Sequence, residues 1–236
     1  MRRPRPMAIF ILAALPGAPG APGALAANPI PFPHPQITEV LFNVPAGDAG
    51  DASADGTRDA TGDEFIEIAN PFDKPINLKG YVLSSRLSSP AKDTAKGVRF
   101  AFPECELPAH GVAVVFNGFG HAPPGPVGTE QQPPPGPNER FAGALVFVTP
   151  AGAKHRALSN AGDFILLTAP DGAPVDVVTW GEPQPGPPKA ALRTETVPAN
   201  PKGSVQRLEP DAPMEPHAAI DAKPFSPGVI PERAAR

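Results

Sequence analysis

In GDASADGTRDATGDEFIEI, residues 50–68, oxygen-bearing side chains recur at close to every second position: Asp51, Ser53, Asp55, Asp59 and Asp63. That spacing suits a hard cation. Calcium takes six to eight oxygen ligands, and alternate residues of a tight loop present them inward while a glycine of positive φ makes the turn. Against the calcium-loop pattern D-x-[DN]-x-[DN]-G-x₅-E, Asp51, Ser53 and Asp55 fall at the first, third and fifth positions. Gly56 falls at the sixth, the Thr57 carbonyl at the seventh and Asp59 at the ninth. The twelfth position, a bidentate acid in the pattern, is Gly62, and Asp63 and Glu64 come just after it. The candidate calcium set is Asp51, Ser53, Asp55, Thr57, Asp59, Asp63 and Glu64. Two readings stand beside it: a solvated acidic turn, and an ionic contact for a basic partner.

Other residues with chemical potential do not form sets. His34, His110, His121, His155 and His217 lack the H-x-E, H-x₃-H or C-x₂-C spacing of a zinc site. There is no G-x-S-x-G turn for a serine nucleophile, and GFGHAPPG lacks the lysine and helix of a phosphate loop. Glu64 and Glu67 invite comparison with a paired-carboxylate site, but no partner of defined geometry goes with them. His217 and Ser226 read as residues that hold turns together. Cys105 is the only cysteine. It allows no intramolecular disulfide and reads as a small buried hydrophobe.

The elements that position these residues are short. Proline (37) and glycine (23) make up about a quarter of the 236 residues, yet the apolar fraction is an ordinary 41%. The apolar residues are thus gathered into brief runs between turn formers, a pattern that opposes long helices because interior proline removes a donor and clashes. Strands are expected in ITEVLFN (37–43), EFIEIAN (64–70), INLKGYVLSS (76–85), VRFAF (98–102) and HGVAVVFN (110–117). Further strands are expected in ALVFV (144–148), DFILLT (163–168), VDVVTW (175–180) and GSVQRLEPD (203–211). APDG (169–172) suits a hairpin turn. Tyr81 and Trp180 sit in apolar strands as core residues, and Gly80 marks a bend. The Pro-rich stretches 118–140 and 181–203 read as loops able to bury little. Short strands at this density point to one two-sheet antiparallel sandwich.

The N-terminus has the pattern of a secretory signal: Arg2, Arg3 and Arg5, then AIFILAAL (8–15), then a small-residue site near Ala26. Eight apolar residues are too few for a bilayer span, which takes about 20, so a soluble exported protein without a membrane span is expected. The resulting division is signal 1–26, extended Pro-rich leader 27–35, β-sandwich 36–228 and tail 229–236. Loss of the first 26 residues, with three arginines and no acid, takes the formal charge from −4 to −7. An acidic, aromatic-poor surface opposes nucleic-acid binding, which depends on Lys and Arg at phosphates.

Five motifs in order carry a family likeness: ITEVLFN, GDEFIEIANPFDKPINLKGYVLSS, FPECELPAHGVAVVF, LSNAGDFILLTAPDGAPVDVVTWG, and GSVQRL with PFSPG. Together they resemble the lamin tail domain, over roughly residues 36–228. The resemblance implies an all-β, immunoglobulin-like antiparallel β-sandwich with long Pro-rich loops. It also implies a domain without catalytic residues of its own, one that in bacteria stands in exported and surface proteins, often beside nucleases, phosphatases or adhesion modules. The expected function is a secreted, non-enzymatic binding or structural module whose partner is a protein or cell-surface component, with calcium ordering the 51–64 loop. The alternative is an accessory to an exported metal-dependent hydrolase, or such a hydrolase itself.

Overall fold

The computed structural model describes residues 29–88, 97–150 and 157–231. The expected signal 1–26, most of the tail and His155 lie outside them. Thirteen strands follow in chain order: β1 (Gln36–Leu41), β2 (Phe65–Ala69), β3 (Ile76–Asn77), β4 (Val82–Ser85), β5 (Arg99–Ala101), β6 (Glu106–Leu107) and β7 (Val112–Phe116). They continue with β8 (Leu145–Val148), β9 (Gly162–Thr168), β10 (Pro174–Gly181), β11 (Arg193–Val197), β12 (Val205–Gln206) and β13 (Glu215–Pro216). Helical structure among the described residues is confined to three short 3-10 turns.

The strands form two stacked layers, ordered β13-β12-β1-β2-β7-β8 and β11-β10-β9-β4-β5, with a small β3-β6 pair. Most pairings are antiparallel, as expected; β8 joins β7 and β11 joins β10 in parallel. Between the layers lies one core that includes Ile37, Val40, Phe42, Ile66, Ile68, Leu83, Phe100, Phe147, Leu167 and Trp180. Each such side chain contributes about 1.5–3 kcal/mol by leaving water. Trp180 is fully buried, lies flat on Phe42 at a centroid distance of 4.0 Å, and donates Nε1–H to the Ser159 carbonyl. Tyr81 is buried and its hydroxyl meets His34 and the Pro33 carbonyl, so the leader is packed over the sandwich. Gly80, at φ +82°, divides INLKGYVLSS into β3 and β4.

The first sheet also buries its outer face. Leu41, Phe65, Val114, Phe116 and Val146 on that side form a second cluster with Val44, Ala52, Phe141 and Ala144, and Phe225 packs against it. Its cover comes from the acidic loop, the Pro-rich insertion and the C-terminal segment.

The insertion 118–140 does more than the loop expected of it. Gly128 bonds to Val146 and Val148 along the β8 edge, and Glu130 accepts Ala101 N–H at the β5 edge. Asn138 fastens the loop by donating to the carbonyls of Pro124 and Pro126. One edge strand of each sheet is thereby blocked from pairing with another chain. The stretch 181–203 likewise contains a strand, β11, which the Pro-rich composition around it conceals.

Candidate functional site

The acidic stretch forms a compact loop between β1 and β2. Asp63 is buried and closes it: its Oδ1 accepts Ser53 N–H at 2.8 Å and its Oδ2 accepts Asp59 N–H at 2.6 Å. Asp51 accepts Gly56 N–H and lies within reach of the Ser53 hydroxyl. Asp55 accepts Thr57 N–H, and Asp59 accepts the N–H groups of Thr61 and Gly62. These are turns in which an aspartate bonds the backbone a few residues on. Gly56 has φ +94°, the backbone conformation that the sixth position of a calcium loop requires. Burial, and then the charge of Asp51, push the Asp63 carboxyl up despite its backbone donors.

Glu64 stands apart from the other six. It is buried and accepts Leu158 N–H at 2.9 Å, with Asn117 beside it, and burial pushes its carboxyl well up. Among the described residues no group of three or more His, Cys, Asp or Glu side chains is gathered as a metal would need. The Arg58 guanidinium donates to the carbonyls of Val44 and Pro45.

Glu64 and Glu67 are not a catalytic pair. Three residues apart on an extended chain, they point to opposite sides. The cross-strand neighbour of Glu67 is Glu39. Both are fully buried on the outer face of the first sheet, and sequence reasoning passed over Glu39. The signal was available in the two hairpin strands, where T-E-V and I-E-I pair.

A second buried polar group joins the layers. Asp176 on β10 accepts Ile37 N–H from β1 and pairs through both oxygens with Arg193 on β11. Arg193 also donates to Gln36 and to the Pro210 carbonyl. The β-bulge between Ile37 and Glu39 frees the Ile37 N–H for this contact. Arg207, equally buried, pairs with Glu195 and donates to the Ile37 and Ala212 carbonyls.

Three cavities of about 160, 570 and 350 Å³ meet at Ile230. His110 borders two of them and Glu209 two, but no serine or cysteine lines any, and no residue of the 51–64 loop reaches them. His110 itself is exposed and bonded to Asp73. The Cys105 thiol is half-buried and pushed up to about 11, which leaves little reactive thiolate.

Two stacked sheets of short, mostly antiparallel strands around one core define an immunoglobulin-like β-sandwich. The Lamin Tail Domain sequence pattern matches residues 33–182, and the chain belongs to that family. Comparison with curated proteins gives no match. The family is one of immunoglobulin-like binding and structural modules, non-enzymatic in themselves. Among the described residues no helix is long and apolar enough to cross a membrane.

Proposed function

We propose that this chain is an exported binding or structural module that performs no catalysis and whose 51–64 loop is drawn together by calcium. The observation that carries the non-enzymatic reading is a separation. The carboxylates of the acidic loop face the chain's own backbone donors, while the cavities at Ile230 are lined by none of those acids and by no serine or cysteine. Export rests on the Arg-rich start, the apolar run 8–15 and the small residues before Ala27. Calcium is supported by the order of ligand types and by Gly56, and an extracellular loop of this kind works at about 10⁻⁴–10⁻³ M.

Thermal unfolding in millimolar calcium and in chelator tests the loop. Calcium is expected to raise the Tm, and the double variant Asp51→Asn, Asp55→Asn to lose that rise while melting normally in chelator. An identical Tm in both conditions removes calcium from the reading and leaves the module. Phosphodiester or glycoside turnover that disappears in the same variant overturns the module in favour of a metal-dependent hydrolase.

A further inference from the structure

The outer face of the first sheet carries a row of residues in register: Gln206 on β12, Glu39 on β1, Glu67 on β2 and Val114 on β7. Two fully buried carboxyl groups stand side by side in the middle of that row. Residues 224–229 lie across them. Ser226 N–H donates to Glu39 Oε1 at 3.0 Å and Gly228 N–H to Glu67 Oε2 at 2.8 Å. Gln206 Nε2 donates to the Val229 carbonyl and Ser204 N–H to the Pro224 carbonyl, which fixes both ends of the segment.

Among the described residues, every group that bonds to the two carboxyls is neutral, and the next acid on the row is Glu215 on β13, beyond Gln206. β1 supplies the Thr38 hydroxyl to Glu67, Ser204 just before β12 supplies its hydroxyl to Glu39, and β7 supplies Val114. The 217–219 turn brings His217, whose ring bonds the Lys223 carbonyl and not either acid. Lys223 and Asp221 on that approach are exposed, as are Glu139 and Arg140 on the turn beneath Gly228. Among the described residues no ion pair involves Glu39 or Glu67. Antiparallel neighbours have Cβ atoms about 4.5–5.5 Å apart, and two ionised carboxylates in such a dry site repel each other.

The hydroxyl of Ser226 makes the same point by proton count. It lies near three acceptors: Glu39 Oε2 at 3.5 Å, Gln206 Oε1 at 3.0 Å and the Val229 carbonyl at 3.0 Å. One hydroxyl has one proton to give. A proton on Glu39 Oε2 completes the network, because the carboxyl then donates to Ser226 Oγ and Ser226 donates onward.

We propose that residues 224–229 form a pH-operated strap, docked on the sheet while Glu39 and Glu67 hold their protons and released as the medium becomes alkaline. Burial raises Glu39 to about 8, and burial followed by the Glu39 charge pushes Glu67 well up. An exposed glutamate titrates near 4.5. The part of the docking preference due to Glu39 is therefore full below about 4.5, declines as the pH rises and is lost above about 8, and Glu67 adds to it in the same direction. Gly228 sets the fit: it has φ +87°, and a Cβ there would lie 2.2 Å from the Phe141 carbonyl oxygen.

Hydrogen exchange at Ser226 and Gly228, corrected for the intrinsic pH dependence and compared with β9 amides, is the test. Between pH 5 and about 8 the corrected rate should rise about tenfold per pH unit for each carboxyl that ionises on opening, and level off once both are ionised in the docked state. Glu39→Gln with Glu67→Gln should abolish the slope, and Gly228→Ala should leave the strap open at every pH. Infrared difference spectra between the unaltered protein and the double glutamine variant add a second readout: a protonated-carboxyl C=O band present at pH 7, absent from the variant, and lost as the medium becomes alkaline. A flat exchange profile, an unchanged slope in the double glutamine variant, or no such band at pH 7 overturns the strap.

Discussion

Asp176 and Arg193 show how much one side chain can hold. The pair is dry on both sides and spans β10 and β11, while Asp176 also reaches across the core to β1. Removing one member of a buried pair leaves an uncompensated charge, which costs about 3–5 kcal/mol. Asp176→Ala is expected to lose that much in denaturant unfolding. Asp176→Ala combined with Arg193→Met should recover part of it, since no lone charge is then left inside. Equal stability of wild type and Asp176→Ala would show that the bridge is idle. At this scale the sequence was partly readable. The D of V-D-V-V lies within a recognisable strand, but Arg193 lies 17 residues on, within a Pro-rich stretch, and nothing in the one-dimensional spacing pairs them. The aspartates of the acidic loop were conspicuous as a set. Their bonding was not, because whether an aspartate turns to a cation or to the N–H two residues on depends on backbone angles that composition does not fix.

Strands with alternating or continuous apolar runs were visible: β2, β4, β5, β7, β8 and β12 fall within the runs that predicted them, β1 and β9 overrun theirs by one residue at the start, and β10 by one at each end. The short β3 belongs to the same run as β4, separated from it by Gly80. The strands that escaped notice, β6, β11 and β13, are polar or two residues long, and tertiary pairing rather than their own pattern makes them strands. Two of them matter to the boundary of the domain. The family match ends at residue 182, yet β12 pairs with β1, β11 pairs with β10, and β13 closes the first sheet at its far side. A chain ended after residue 182 would leave β1 and β10 as bare edges and Asp176 without Arg193. It is expected to aggregate or to melt without a cooperative transition, measured by calorimetry and light scattering beside a chain ended at 231. Cooperative melting of the shorter chain at the Tm of the longer would show that the last strands are dispensable.

Over the whole molecule, burial moves the acids in one direction. Glu39, Glu64, Glu67, Asp63 and Asp163 are all raised by desolvation. Each favours the folded state below its unfolded value and loses that contribution as the pH rises through the folded one. His217 works against them: burial lowers it, its Nε2 is buried without a partner among the described residues, and its contribution is lost as the pH falls below about 6.5. Several raised acids outweigh one lowered histidine, so the Tm is expected to be highest at or below about pH 4.5 and to decline as the pH rises toward 8. A Tm that climbs from pH 6 to 8 would contradict this. The overall architecture was the most legible level, since the ordered motifs specify a sandwich without any one pairing being known. The chemistry of its buried acids was the least legible, because it depends on which face of a strand the C-terminal segment happens to cover.

Closing that segment over Glu39 and Glu67 has a thermochemical consequence. At neutral pH both carboxylates are ionised in the open chain and neutral once covered, so docking of residues 224–229 consumes hydrogen ions from the buffer. The heat of refolding at pH 7 should then depend on the ionisation enthalpy of the buffer chosen, and the slope of one against the other counts the ions taken up.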